Sequence, residues 1–165
     1  MSRLYLRMAI DDGLTQWAIP TRLEARRAIV QALCAPSSRC SDPGRIAEVS
    51  LSFVSKSEIA DLNASYRQQA RPTNCLSFPQ DSLPAIFRRD LLGDIVIAPE
   101  VVQQEAAEQG KSPSDHYRHL LIHSTLHLLG YDHIEDAEAS AMEALEVSLL
   151  AEMGVADPYL NQIHE

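Results

Sequence analysis

The sequence predicts an α+β fold: a small mixed sheet of about four strands packed with about five helices, forming a single domain over residues 1–165. Three observations lead there. Helix signals dominate, with Pro or a capping side chain at the starts and Gly at the ends. Runs rich in β-branched and aromatic residues are few and short. The chain has 165 residues, 45% of them hydrophobic, which suits one core of ordinary size.

Each element has its own warrant. Leu4 to Ile10 reads as a first strand. Pro20 and Thr21 open a helix to Leu33, with Leu23, Ala28, Ile29 and Leu33 as its apolar positions. Pro36 to Gly44 is rich in Ser, Pro, Asp and Gly and reads as a loop. Ile46, Val49, Leu51, Phe53 and Val54 make a second strand. Ser57 is expected to cap a short helix through Tyr66. Leu76 to Phe78 is a short extended piece ended by Pro79, and Gly93 to Ala98 reads as a buried strand. Pro99 opens a helix closed near Gly110, Ser112 and Pro113 open one that runs to Gly130, and Ile134 to Met153 form the last, closed by Gly154. The tail from Asp157 is expected to be partly loose.

Charge and composition narrow the class. The formal net charge is −9, which speaks against a general nucleic-acid binder. The cations are almost all arginine, however, and arginine forms the bidentate phosphate contacts that lysine does not. No apolar run reaches the roughly 18 to 20 residues of a membrane span, and Met1 to Gly13 lacks a signal-peptide pattern. The expectation is a cytoplasmic protein with no membrane partner. Three cysteines, Cys34, Cys40 and Cys75, without CxxC spacing, argue against a disulfide framework.

The most informative segment is His123-Ser124-Thr125-Leu126-His127-Leu128-Leu129-Gly130-Tyr131-Asp132-His133. His123 and His127, four apart on a helix, stand on one face a turn apart. Gly130 suits the left-handed conformation that ends a helix, so the chain can return His133 toward the same ion. Three neutral imidazoles leave one tetrahedral position for water or substrate. Zinc is the first choice, and nickel, copper and iron also accept imidazole. The spacing equals that of metzincin proteases, but their glutamate base is Ser124 here, which cannot serve as a base near neutral pH.

At these residues the chain resembles the YbeY endoribonuclease family, whose pattern is H-G-x-L-H-L-x-G-Y-D-H; Ser124 stands where that family has glycine. The resemblance extends to Leu62-Asn63-Ala64-Ser65-Tyr66-Arg67 and to Arg71-Pro72-Thr73-Asn74-Cys75-Leu76-Ser77-Phe78-Pro79, with Cys75 in place of the usual valine. Leu92-Gly93-Asp94-Ile95-Val96-Ile97 and Pro158-Tyr159 also match. The resemblance implies a metal-dependent endoribonuclease specific for single strands, acting in 16S rRNA 3′-end maturation and ribosome quality control. It implies one zinc ion on His123, His127 and His133, with Arg67 and His123 as the residues on which activity depends. Its implied partners are single-stranded rRNA and the ribosome or small-subunit proteins.

The chemistry suits those residues. Phosphodiester cleavage builds negative charge on the non-bridging oxygens, which a metal and a guanidinium stabilise together. Either hydroxide from a zinc-acidified water or the RNA 2′-OH can attack, and the sequence does not choose. Weaker candidates stand beside these. Asp94 either orients a ligand histidine or serves as a turn carboxylate. Asp132 reads as a turn residue rather than a base. Thr73 and Asn74 line an RNA groove or make local turn bonds. Arg71, Arg88 and Arg89, like Arg22, Arg26 and Arg27, form a phosphate track or ordinary solvated surface. The acidic last helix, with Glu135, Asp136, Glu138, Glu143 and Glu146, reads most simply as a solvated face, the alternative being a surface that meets a basic ribosomal protein. The rival functions are a peptidase-like metallohydrolase and a non-catalytic zinc-containing ribosome-assembly factor. The latter needs a fourth protein ligand, for which the sequence offers no clear candidate beyond His116 or Asp132.

Overall fold

The computed structural model describes residues 3–37, 44–84, 86–132 and 135–160. Among these, nine elements follow in order: β1 (Arg3–Ile10), α1 (Arg22–Ala32), β2 (Ile46–Phe53), α2 (Lys56–Arg67), β3 (Cys75–Pro79), β4 (Arg89–Ile97), α3 (Pro99–Gln109), α4 (Pro113–Leu128) and α5 (Asp136–Glu152). The sheet has the order β1-β2-β4-β3. β1, β2 and β4 run parallel, and β3 pairs antiparallel with β4. This is the α+β arrangement of four strands and five helices that the sequence predicts.

Alternation along β2 explains the layering. Ala47, Val49, Leu51 and Phe53 are buried, while the residues between them are half-exposed, so the sheet has one well-covered face. That face packs into the main core with Ile29 of α1, Leu121, Ile122 and Leu126 of α4, and Leu149 and Leu150 of α5. A smaller cluster of Val54, Ile59, Leu76 and Ala98 takes in Val96 and Phe78. Val96 alternates with the core residues Ile95 and Ile97, so α2, through Ile59, covers the opposite face at the β3 end. α4 packs against α1, α3, α5, β3 and β4. More than half of its residues are buried because it lies inside the molecule.

The pairing of β2 with β4 shifts register between Glu48 and Val49, where Glu48 faces Leu91 and Val49 faces Gly93. Gly93 (φ +146°) allows a close approach there. A Cβ on it would lie 2.2 Å from the Phe78 carbonyl oxygen and 2.9 Å from Leu128 Cδ2. Glycine thus lets β3, β4 and α4 meet at one point.

Several element limits differ from the sequence reading. The cap of α2 is Ser55, whose hydroxyl accepts from Glu58 N, rather than Ser57. β4 begins at Arg89, four residues before Gly93, because β2 extends far enough to pair with it. Thr21, by contrast, caps α1 in a reciprocal box with Glu24, and Pro99, Gly110 and Ser112 take the capping roles expected of them. The expected start of the last helix at Ile134, the loop cysteine Cys40 and the ligand His133 lie outside the described residues.

Candidate active site

α4 carries His119, His123 and His127 at successive spacings of four, one stripe along one face. The helix ends on a glycine turn. Gly130 (φ +99°) donates to His127 O, and Tyr131 N donates to Leu126 O. This is the Schellman pairing, and it turns the chain directly after the second motif histidine. The structure brings His123 and His127 together, with Nε2 to Nε2 at 3.1 Å. Two nitrogens at tetrahedral positions about 2.0–2.1 Å from zinc stand roughly 3.3–3.4 Å apart, so this pair has close to the spacing of two ligands of one ion.

Behind His123 lies a carboxylate that the sequence reading assigned to solvent. Glu146 of α5 is completely buried, which corrects the solvated-face expectation for this position. Its Oε1 is 2.5 Å from His123 Nδ1, its Oε2 is 3.2 Å from His119 Nε2, and it accepts from the Tyr159 hydroxyl. Burial pushes the Glu146 carboxyl up, but the hydrogen bonds from His119, His123 and Tyr159 outweigh burial and hold it at about 2. Burial pushes the His119 imidazole down, and burial with the Glu146 charge pushes the Tyr159 phenol up, so that hydroxyl remains a donor. The Tyr159 contacts also anchor the segment 157–160, part of the tail expected to be loose.

Among the described residues, His119, His123 and Glu146 form a group whose ligand atoms lie within 4.8 Å of one another, a possible metal-binding set. The 2.5 Å contact decides how that set is used in this geometry. Two ligand atoms on one zinc stand more than about 3 Å apart, so Glu146 Oε1 and His123 Nδ1 are too close for both to bind one ion. Glu146 therefore braces His123 from the side away from His127.

These histidines face a cleft of about 1060 Å³. Its other wall comes from the end of α2 and the segment leading into β3, including Asn63, Arg67, Arg71, Thr73 and Asn74. Arg67 sits in the last turn of α2, which ends at Gln68 in the left-handed conformation (φ 58°). One arm of its guanidinium, Nη2, donates to Ser77 O at 2.9 Å. Asn74 Nδ2 donates to Glu105 Oε2 (3.3 Å), and Glu105 Oε1 lies 3.4 Å from the buried His116. Asn74 also accepts from Cys75 N and lines the cleft. His116 is thus engaged with Glu105.

Other candidates fall elsewhere. Asp94 pairs with Phe78 in the sheet and does not line the cleft; the carboxylate in contact with His123 is that of Glu146. Arg71 lines the cleft, but Arg89 lies at the far end of β4 with its guanidinium 4.1 Å from the Tyr5 ring centroid, so Arg71, Arg88 and Arg89 form no single track. Arg22 and Arg26 donate to Leu6 O and Leu4 O, covering carbonyls of the edge strand β1. Asp132 lines the cleft. Ser124 is completely buried, and its hydroxyl lies 3.4 Å from Cys75 Sγ. It offers no base at the position of the protease glutamate.

A family model described as Endoribonuclease YbeY matches residues 14–154. The chain belongs to the YbeY family. Two curated relatives of that name come from Francisella philomiragia and from Francisella tularensis subsp. novicida. The first is 51% identical over 119 residues, covering 70% of this chain and 75% of the relative. The second is 52% identical over 120 residues, covering 70% and 74%. A solution structure of a Thermotoga maritima protein superposes with a TM-score of 0.58 at 24% identity, over 90% of this chain and 88% of that one, and shows the shared fold. RNA endonuclease chemistry is what membership of the YbeY family supports. No helix of the described residues is long and apolar enough to cross a membrane.

The sequence reading missed Glu146, His119 and Tyr159 as parts of the site. A signal existed for the first two. Glu146 falls on the same stripe as Met142, Leu149 and Leu150, all buried, so its charge sits where α5 is apolar. His119 extends the spacing of four that joins His123 to His127 by one turn.

Proposed function

We propose that residues 1–165 act as one zinc-dependent endoribonuclease domain that cuts single-stranded RNA in the cleft between α4 and the end of α2. In this reading His123, His127 and His133 hold one zinc ion, and Arg67 binds the scissile phosphate. The biological substrate is the 3′ end of 16S rRNA, with a further role in ribosome quality control. The enzyme works in the cytoplasm beside the ribosome or small-subunit proteins. The observation that carries the reading is the paired Nε2 atoms of His123 and His127, 3.1 Å apart, facing the cleft that Arg67 lines in a YbeY-family chain.

The donor set fits zinc: neutral imidazole nitrogens near tetrahedral spacing, the nearer one hydrogen-bonded through its other nitrogen to a buried carboxylate. Bound zinc supplies Lewis acidity toward the phosphate and lowers the pKa of water toward about 7. The remaining work belongs to side chains of this chain. The Ser77 carbonyl holds one arm of the Arg67 guanidinium, which leaves the other arm of the fork to donate to a phosphate oxygen. Arg71, propped by Gln69 Oε1 at 3.1 Å, adds a second positive charge along the same wall. Glu105 of α3 accepts from Asn74 and so ties that wall to α3.

The test is cleavage of an end-labelled single-stranded RNA by wild-type, Arg67→Ala and His123→Ala protein. The expected result is a large loss in both variants with the fold retained. Wild-type rates in both would sink the assignment. A precursor ending in the 16S 3′ region, compared with an unrelated strand of equal length, tests the biological substrate.

A further inference from the structure

The stripe His119–His123–His127 shares one face of α4, yet its members have different surroundings. His123 is approached on both ring nitrogens. Nε2 faces His127 Nε2, and Nδ1 faces Glu146 Oε1. Glu146 comes from α5, is completely buried, and meets His119 Nε2 and the Tyr159 hydroxyl through its second oxygen. An ionised carboxylate only accepts hydrogen bonds, so the proton between it and His123 belongs to Nδ1. A neutral imidazole protonated at Nδ1 carries its lone pair on Nε2, the atom turned toward His127.

We propose that Glu146 is the positioning residue of the metal centre: it sets the tautomer and ring orientation of His123 so that Nε2 is presented as a ligand. Tyr159 and His119 hold Glu146 in that role. Tyr159 donates to the carboxylate from the C-terminal segment, and His119 reaches the same oxygen from one turn back on α4. The brace thus joins three separate parts of the chain behind one ligand. This inference rests on the proposed metal reading of His123 and His127, and it excludes Glu146 as a ligand itself.

The experiment measures zinc affinity by competition with a chromophoric chelator for purified full-length wild type, Glu146→Ala, Glu146→Gln, Tyr159→Phe and His127→Ala, with folding of each followed by circular dichroism. Loss of such a brace weakens metal binding about 10- to 100-fold, and that is the loss expected for Glu146→Ala. Glu146→Gln keeps an oxygen acceptor for Nδ1 and is expected to fall between wild type and Glu146→Ala. Tyr159→Phe is expected to lose less than Glu146→Ala. With cobalt(II) as probe, the visible ligand-field bands shift in the Glu146 variants, a change that a purely structural role away from the ion would not produce. If Glu146→Ala does not fold, Glu146→Gln and Tyr159→Phe decide: wild-type affinity in both overturns the inference. If wild type takes up no zinc, or His127→Ala binds as tightly as wild type, the metal reading itself falls. Wild-type binding that is lost in His127→Ala but unchanged in both folded Glu146 variants overturns the positioning role alone.

Discussion

Arg67 and Glu146 carry opposite charges on two sides of the histidine stripe, and each is held by a partner that limits its motion. Arg67 is tied to the Ser77 carbonyl, so its guanidinium plane is set before substrate arrives. Removing a preorganised donor of this kind costs about 10²- to 10³-fold in turnover where charge develops in the transition state. Arg67→Ala is expected to lose about that much in single-turnover cleavage of single-stranded RNA. Arg67→Lys should recover only part of it, because lysine keeps the charge and loses the fork. Equal rates for the two variants would argue against a geometric role. Arg67 stood out in the sequence because a short block around it resembles a known family. Glu146 was not legible in the same way: a glutamate in an acidic helix looks solvated until its register against Met142, Leu149 and Leu150 is considered.

α4 is the element on which the site depends, and its packing can be tested away from the histidines. Gly93 of β4 lies against Leu128 near the end of that helix, and a methyl group there would meet the Phe78 carbonyl at 2.2 Å. Gly93→Ala combines backbone strain with overpacking, so a loss of about 3 kcal/mol or more is expected in urea denaturation. A loss below about 1 kcal/mol would contradict the close approach. Ser124 and Cys75 are two departures from the family pattern, and they touch each other across α4 and β3. Each looks like an isolated change in the sequence, and only the fold shows them as a pair. Cys75→Val leaves the buried Ser124 hydroxyl without its partner, and Ser124→Gly removes that hydroxyl at the cost of a glycine in a helix. A double-mutant cycle should show coupling of about 0.5–1.5 kcal/mol, the double variant being more stable than the two single losses predict. Additivity would mean the contact is energetically silent. At this scale the helix starts and ends were legible from Thr21, Pro99, Gly110 and Gly130, residues whose local chemistry acts within a few positions. The first residues of β4 were not, because their pairing partner, β2, is more than forty residues away in sequence.

Across the whole molecule, the net charge of −9 coexists with a cleft wall that carries Arg67 and Arg71, so RNA is expected to bind through a few local contacts. The cleft also carries an internal acid-sensitive link. Burial pushes the Glu105 carboxyl up, but hydrogen bonds from His116 and Asn74 outweigh it and hold the group below its ordinary value of 4.5. A depressed carboxylate contributes stability that is present above its unfolded pKa and is lost as the pH falls through the folded one. Wild type should therefore exceed Glu105→Gln in stability at neutral pH by up to about 1 kcal/mol, with the gap closing below about pH 4. A gap that widens in acid would reverse the sign. The α+β class and the mixed sheet followed from periodicity, turn residues and the short strand runs. The convergence of α4, the Tyr159 segment and α5 on the one buried carboxylate of Glu146 did not, because it joins residues that only tertiary packing brings together. The claim on which the rest depends is that RNA cleavage requires the ion held at His123 and His127. The direct measurement is cleavage of single-stranded RNA by chelator-stripped protein before and after one equivalent of zinc, beside His127→Ala treated in the same way. Loss on stripping, recovery with zinc in wild type and no recovery in His127→Ala is the predicted result; undiminished cleavage by the stripped, metal-free protein would contradict it.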